Sequence, residues 1–195
     1  DANRGGCAQN CRWKYDLFDI PDNGQKRELL GHGPDGKLEE FSMSAVDMSM
    51  IEHIPDLVEA GVDSLKIEGR MKTVHYVSTV ANVYSKAVRS YCEDPENYQL
   101  DPAWVDELWK VAQRELSTGF YYGTPDENFQ LFGKRRRMPR YAFVGEVLAY
   151  DEATKQVTVQ QRNNFGVGDT IEFYGPNFAH HTQQVTDLFD DKDQA

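Results

Sequence analysis

Apolar and polar residues alternate over Glu40–Ala45 (EFSMSA), which predicts a short strand. Asp47 and Ser49 follow as helix-entry caps, and Ile51, Ile54, Leu57 and Val58 then fall at helical spacing. Pro55 interrupts that run. Proline suits the first turn of a helix and not its interior, since it has no N–H to give and its φ is already near the helical value. The expectation is one turn, then a short helix from Pro55, stopped by Gly61. Val62, Leu65 and Ile67 in VDSLKIEG predict a second strand. The strongest periodic run comes next: Val77, Val80, Ala81, Tyr84, Val88 and Tyr91 share one face of a helix over Thr73–Tyr91. A third helix is expected from Asp101-Pro102, a cap followed by Pro at the first position, to about Leu116. Its inward positions are Val105, Leu108, Ala112 and Leu116, with Trp104 and Trp109 packed against neighbours.

Strand, helix, strand, helix with short loops is the grammar of a parallel α/β sheet or barrel. After Pro139 the pattern changes. YAFVGEVLAYD, QVTVQQR and DTIEFYGP read as strands, with turns at Glu152–Lys155 and Asn163–Gly168, and HHTQQVTDLF reads as a fourth. This part carries no helix signal and predicts a small antiparallel β-barrel or sandwich. Four strands rarely close a barrel, so it is expected to be incomplete.

The chain has 195 residues and a net charge of −11, which argues against a general nucleic-acid binder. A local basic patch survives that argument. GKRRRMPRY places Lys134, Arg135, Arg136, Arg137 and Arg140 within nine residues. It reads either as a solvated linker or as a contact for RNA phosphates. Three cysteines are an odd number, unlike an extracellular disulfide framework, and fit a reduced, cytoplasmic protein. No apolar run approaches the roughly 20 residues of a membrane span.

Three constellations could carry chemistry. Cys7 and Cys11 form a C-x3-C pair in a turn with Gly5, Gly6, Asn3 and Asn10. Thiolates bind soft metals and iron–sulfur clusters, and small residues let backbone N–H groups approach the sulfur atoms. Two ligands do not complete a site, and two unrelated reduced thiols remain the alternative. Cys92 continues the apolar face of its helix and reads as a buried structural thiol, while His32 lies in a Gly-rich loop. In KIEGRMK, Lys66, Glu68 and Arg70 are expected at the carboxyl end of a parallel strand, where α/β folds place their chemistry, with SMSAVD beside them. They are the catalytic candidates; the alternative is an ion-pair set closing the barrel mouth. Nucleophilic hydrolysis finds little support: there is no G-x-S-x-G and no H-E-x-x-H. His53 and His75 are the candidate bases near strand ends, and His53 reads better as a capping or packing residue.

The stretches DANRGGCAQNCRWKY, MSAVDMSMIEHIPDLVEAGVDSLKIEGRMK and STGFYYGTP together resemble the collagenase-like peptidase family, filed as unassigned-mechanism family U thirty-two. The resemblance covers nearly the whole chain. It implies α/β plus β: the last strand–helix units of a TIM-like barrel over residues 1–132, a basic linker over 133–140, and a small β-barrel over 141–195, truncated at both ends. It also implies oxygen-independent hydroxylation, which in such families falls on tRNA uridine, ribosomal RNA or ubiquinone precursors; tRNA uridine with prephenate as hydroxyl donor is the expectation, and the family name leaves a collagenase-like protease as the alternative. Members carry a [4Fe–4S] cluster on four cysteines. Cys7 and Cys11 match one pair, and the other two ligands are expected upstream, in a longer protein. On this reading tRNA is the partner, Lys134, Arg135, Arg136 and Arg137 touch it, and Tyr121, Tyr122 and Phe129 stack on its bases. A homo-oligomer, or a hetero-oligomer with a related family member, is expected, and no membrane.

Overall fold

The computed structural model describes residues 41–125, 129–132, 141–175 and 180–190, and before them 6, 8, 13, 15, 18–19, 24–25, 27–28, 31–32 and 38–39. The thiol pair Cys7 and Cys11 and the basic run Lys134–Arg137 with Arg140 lie outside the described residues. Two compact units divide the chain: Asp1–Gly61 with Ala112–Met138, and Val62–Val111 with Pro139–Ala195.

In the first unit β1 (Phe18–Asp19) pairs antiparallel with β2 (Arg27–Glu28), and β3 (Gly31–His32) with β4 (Leu38–Glu39), so His32 stands in a strand and not in a loop. The expected first strand is β5 (Phe41–Ala45), followed by β6 (Asp47–Met48). Asp47 and Ser49 therefore do not cap a helix; strand pairing takes their backbone groups instead. A single 3-10 turn, Ile51–His53, leads into α1 (Ile54–Glu59), with Pro55 in its first turn. Gly61 ends it at φ 77°, a conformation that costs a glycine nothing. Among the described residues, Met50, Ile51, Ile54, Leu57, Ala112 and Leu131 are the buried apolar side chains of this unit. β7 (Leu116–Ser117) and β8 (Gln130–Phe132) complete it. β5 pairs antiparallel with β8, and β6 parallel with β7.

The second unit opens with Val62–Gly69, expected as a strand but carrying no strand pairing among the described residues. An alternating pattern makes a strand only when a neighbour supplies the other half of the ladder. The segment runs to the first turn of α2 (Val74–Glu93), where Thr73 Oγ1 accepts from the Tyr76 N–H at 3.1 Å. Gly69 permits the approach: a Cβ there would stand 2.6 Å from Val77 Cγ2. The helix packs on α3 (Pro102–Val111), capped as expected by Asp101, whose Oδ1 accepts from the Ala103 N–H at 2.9 Å. α3 ends five residues before Leu116, which goes into β7 instead. The buried stripe of α2 is Thr79, Val80, Val83, Ala87 and Tyr91. It is turned from the expected face, leaving Val77 and Ala81 exposed. Cys92, one position past Tyr91, points about 100° away and is exposed, not buried.

The four strand runs after Pro139 all form. β9 (Gly145–Asp151) pairs with β10 (Gln156–Gln161), and β11 (Thr170–Tyr174) with β12 (His180–Gln184), both antiparallel.

Thr79 is fully buried and its Oγ1 has no hydrogen-bond partner among the described residues. Replacing it with the near-isosteric valine removes an unpaired polar group from the core. Thr79→Val should raise unfolding stability by about 1 kcal/mol, read as a higher urea midpoint at unchanged slope.

Candidate functional site

In the first unit, β6 and β7 run the same way, with Asp47 beside Leu116 and Met48 beside Ser117. The Asp47 N–H donates to the Glu115 carbonyl at 2.9 Å and the Ser49 N–H to the Ser117 carbonyl at 2.8 Å. Arg114 braces the entry: its guanidinium donates to the Ala45 carbonyl at 3.1 Å and lies 3.5 Å from the Asp47 carboxylate. Parallel strands bring their carboxyl ends together, and there α/β proteins gather ligands. The 3-10 turn and α1 leave from β6; the loop Thr118–Gly123 leaves from β7.

These two exits meet at one carboxylate. The Tyr122 hydroxyl donates to Asp56 Oδ2, and His53 Nδ1 lies 3.4 Å from the same oxygen. The His53 and Tyr122 rings are 4.5 Å apart. His53 is thus a packing residue, as the sequence suggests, but it makes no side-chain cap to α1. The hydrogen bond to Asp56 holds the Tyr122 phenol above its ordinary pKa, so it is a neutral donor at physiological pH. Local sequence hides this arrangement, because Asp56 and Tyr122 are 66 positions apart.

Lys66, Glu68 and Arg70 stand in the second unit on the segment before α2, all three exposed. Glu68 Oε1 accepts from the Arg70 backbone N–H at 2.9 Å, and the Lys72 N–H donates to the Gly69 carbonyl at 2.9 Å. Lys72 Nζ rests 4.8 Å over the Tyr76 ring.

A polar cluster that the sequence reading missed lies within this second unit. Lys110 Nζ is 2.7 Å from Glu107 Oε1 and 2.9 Å from Glu172 Oε1. His180 closes a ring between the same two oxygens, Nε2 at 3.3 Å from Glu107 and Nδ1 at 3.0 Å from Glu172. A neutral imidazole donates to one of them only; the imidazolium serves both. Burial lowers the Lys110 pKa, but hydrogen bonds and charge from Glu107 and Glu172 outweigh it and leave the ammonium above its ordinary value. Beside the ring, His75 stacks on Phe143 at 5.7 Å and meets Tyr174 edge-on at 5.6 Å. Asn82 donates to the Tyr174 hydroxyl at 3.0 Å. Desolvation lowers the His75 pKa; Glu107 and Glu172 oppose the shift and Lys110 adds to it. The one signal in the sequence was a pair of histidines and two acids within strand and helix runs.

Among the described residues, no three His, Cys, Asp or Glu side chains are placed to hold a metal ion. No described helix is long and apolar enough to cross a membrane.

The family model described as "Peptidase family U32" matches residues 1–131, and "Peptidase family U32 C-terminal domain" matches 139–195. The chain is 47% identical over 191 residues to "tRNA hydroxylation protein P1" of Bacillus subtilis, covering 98% of this chain and 44% of that one. It is 28% identical to "tRNA hydroxylation protein P" of Escherichia coli, covering 90% and 46%. It is also 28% identical to "Collagenase" of Porphyromonas gingivalis, covering 96% and 49%. The chain thus spans just under half the length of these relatives. No solved structure matches it.

His75 supplies a pH test. Its folded-state pKa is depressed, so the folded state takes up a proton less readily than the unfolded chain. Its contribution is full above the unfolded pKa of about 6.5 and is lost as pH falls below that value. The groups facing it are Glu107, Glu172, Lys110, His180 and Tyr174. His75→Phe keeps a ring against Phe143 and removes the titration. Denaturant melts at about pH 7 and about pH 5.5 should show a smaller stability loss in the variant than in the wild type.

Proposed function

Since the chain belongs to peptidase family U32, we propose that it is part of an enzyme that hydroxylates uridine in tRNA. The observation that carries the reading is 47% identity across 98% of the chain to a tRNA hydroxylation protein, against 28% to a collagenase.

In the whole protein, β5 to β8 with α1 to α3 belong to a TIM-like barrel over 1–132. A linker at 133–140 leads to a small β-barrel over 141–195. Lys134, Arg135, Arg136 and Arg137 contact phosphates, and Lys66, Glu68 and Arg70 are the catalytic candidates. Prephenate is the hydroxyl donor, the compartment is the cytoplasm, and the assembly is a homo- or hetero-oligomer. The cluster expectation rests on the Cys7 and Cys11 thiols together with two ligands supplied by the longer chain.

Nucleosides from tRNA of cells with and without the gene, compared by mass spectrometry, test the activity. The hydroxylated uridine should vanish on deletion and return on complementation. Its persistence would end the reading, and a loss of gelatin cleavage instead would favour the protease.

The cluster has its own test. In the full-length protein prepared without oxygen, Cys7→Ser or Cys11→Ser should abolish bound iron and the visible absorbance, because a hydroxyl is a poor substitute for thiolate. Cys92→Ser, at an exposed thiol, should leave both intact.

A further inference from the structure

The loop after β7 holds its aromatics outward. Phe120 is 81% exposed, with Tyr121 and Tyr122 each at 56%. Such exposure of three consecutive rings opposes the hydrophobic effect and marks an interaction site. The backbone is shaped to present them: Gly119 at φ 58° and Gly123 at φ 147° bracket the three residues. A side chain at Gly119 would also press within 3.0 Å of Met48 Sδ. The three rings are not equivalent. Tyr122 is fixed to Asp56 and to the His53 ring, so it anchors the loop. Phe120 and Tyr121 make no such contact to Asp56, and Met48, 62% exposed at the end of β6, adds apolar surface to the same strand ends.

We infer that Phe120 and Tyr121 form a stacking platform for an unpaired nucleobase of RNA, at the carboxyl ends of β6 and β7. Tyr122, Asp56 and His53 hold the platform in place. The inference rests on the tRNA reading above and adds the residues that receive the base. Three observations favour this occupant over a protein. Flat rings with a polar edge beside them match a base, which has a π-face and hydrogen-bonding edges. The His53 ring, 4.5 Å from Tyr122, brings a hydrogen-bonding imidazole to the same loop. In sequence, the chain's one dense run of cations, Lys134–Arg137, follows β8, giving phosphate complementarity to an otherwise acidic chain.

The test uses the full-length protein, an unmodified tRNA transcript and a single-stranded oligouridylate. Phe120→Leu with Tyr121→Leu keeps apolar bulk and removes both π-faces. Affinity for both RNAs should fall by roughly ten-fold per ring removed, while Phe120→Trp retains it. The salt slope of binding should not change, because no phosphate contact is lost. Glutamine at positions 134–137 should instead lower the slope. Denaturant melts of the leucine variant should match the wild type, since the rings are exposed. Wild-type affinity in the leucine variant would overturn the platform, as would loss of self-association with RNA binding intact. The two proposals separate cleanly. If deletion abolishes the hydroxylated uridine but the leucine variant binds RNA normally and restores that uridine, the platform fails and the activity stands. If deletion leaves the nucleoside unchanged while the leucine variant loses oligouridylate, the platform stands and the activity reading fails.

Discussion

The short parallel pairing of β6 with β7 is the constraint on which the candidate site depends. It joins residues 47–48 to 116–117, so everything from Ser49 to Glu115 must leave and come back. Closing so long a loop carries an entropic cost that grows only slowly with length. Local contacts at the point of return offset it. The Asp47 and Ser49 N–H groups find carbonyls across the pair, and Arg114 reaches the Ala45 carbonyl and the Asp47 carboxylate. Once the strands are in register, their exits are neighbours by geometry. His53, three residues before Asp56, and Tyr122 then converge on one carboxylate oxygen. A one-residue slip would carry Tyr122 away from the His53–Asp56 pair, which local helical spacing holds together.

The second unit solves a different problem, that of placing carboxylates in a partly buried setting. Glu107 is 7% exposed, a position that a lone carboxylate would occupy at a large desolvation penalty. Lys110 and His180 both reach it, and both also reach Glu172. Every member of the ring therefore has two partners, and each bond orients the next. The geometry ties α3 to β11 and β12 through charge, while His75 adds ring packing between α2 and β11. Removing one member costs its two neighbours one partner each, so the ring acts as a unit in specifying how these elements pack.

What could be read along the chain was what short range decides. Pro55 and Gly61 bound α1 because proline and glycine act on their own backbone. Asp101 caps α3 through a carboxylate two residues away. The turns at Glu152–Lys155 and Asn163–Gly168 likewise separate the strands as expected, with Lys155 at φ 59°. The misreadings fall where a distant partner decides. Leu116 continues the periodicity of α3 but is taken by β6, and Val62–Gly69 alternates like a strand with no partner strand among the described residues. Cys92 extends a face that is apolar in composition, yet the buried stripe runs through Val83, Ala87 and Tyr91, one step around the helix. Asp56 and Tyr122 carry no mark of their meeting, because neither lies in the other's local context. Lys66, Glu68 and Arg70, the catalytic candidates, stand exposed on the segment before α2.

Charge bears on how an acidic chain would hold RNA. In the described structure Lys110 faces Glu107 and Glu172, Arg114 faces Asp47, and Arg162 faces Glu146. Cations within these paired elements are neutralised locally and offer little to a phosphate. Residues 128–145 differ: they contain Lys134, Arg135, Arg136, Arg137 and Arg140 and no Asp or Glu. Charges beyond about 8 Å are largely screened at physiological salt, so the net −11 of the whole chain does not cancel this local excess. Phosphate contacts of that kind set affinity and position without reading a base. Discrimination then has to come from uncharged contacts, and the exposed rings at the ends of β6 and β7 are of the type that supplies them. Binding and choice of base would thus rest on two separate stretches of the chain, one answering to salt and the other to the shape and π-face of the base.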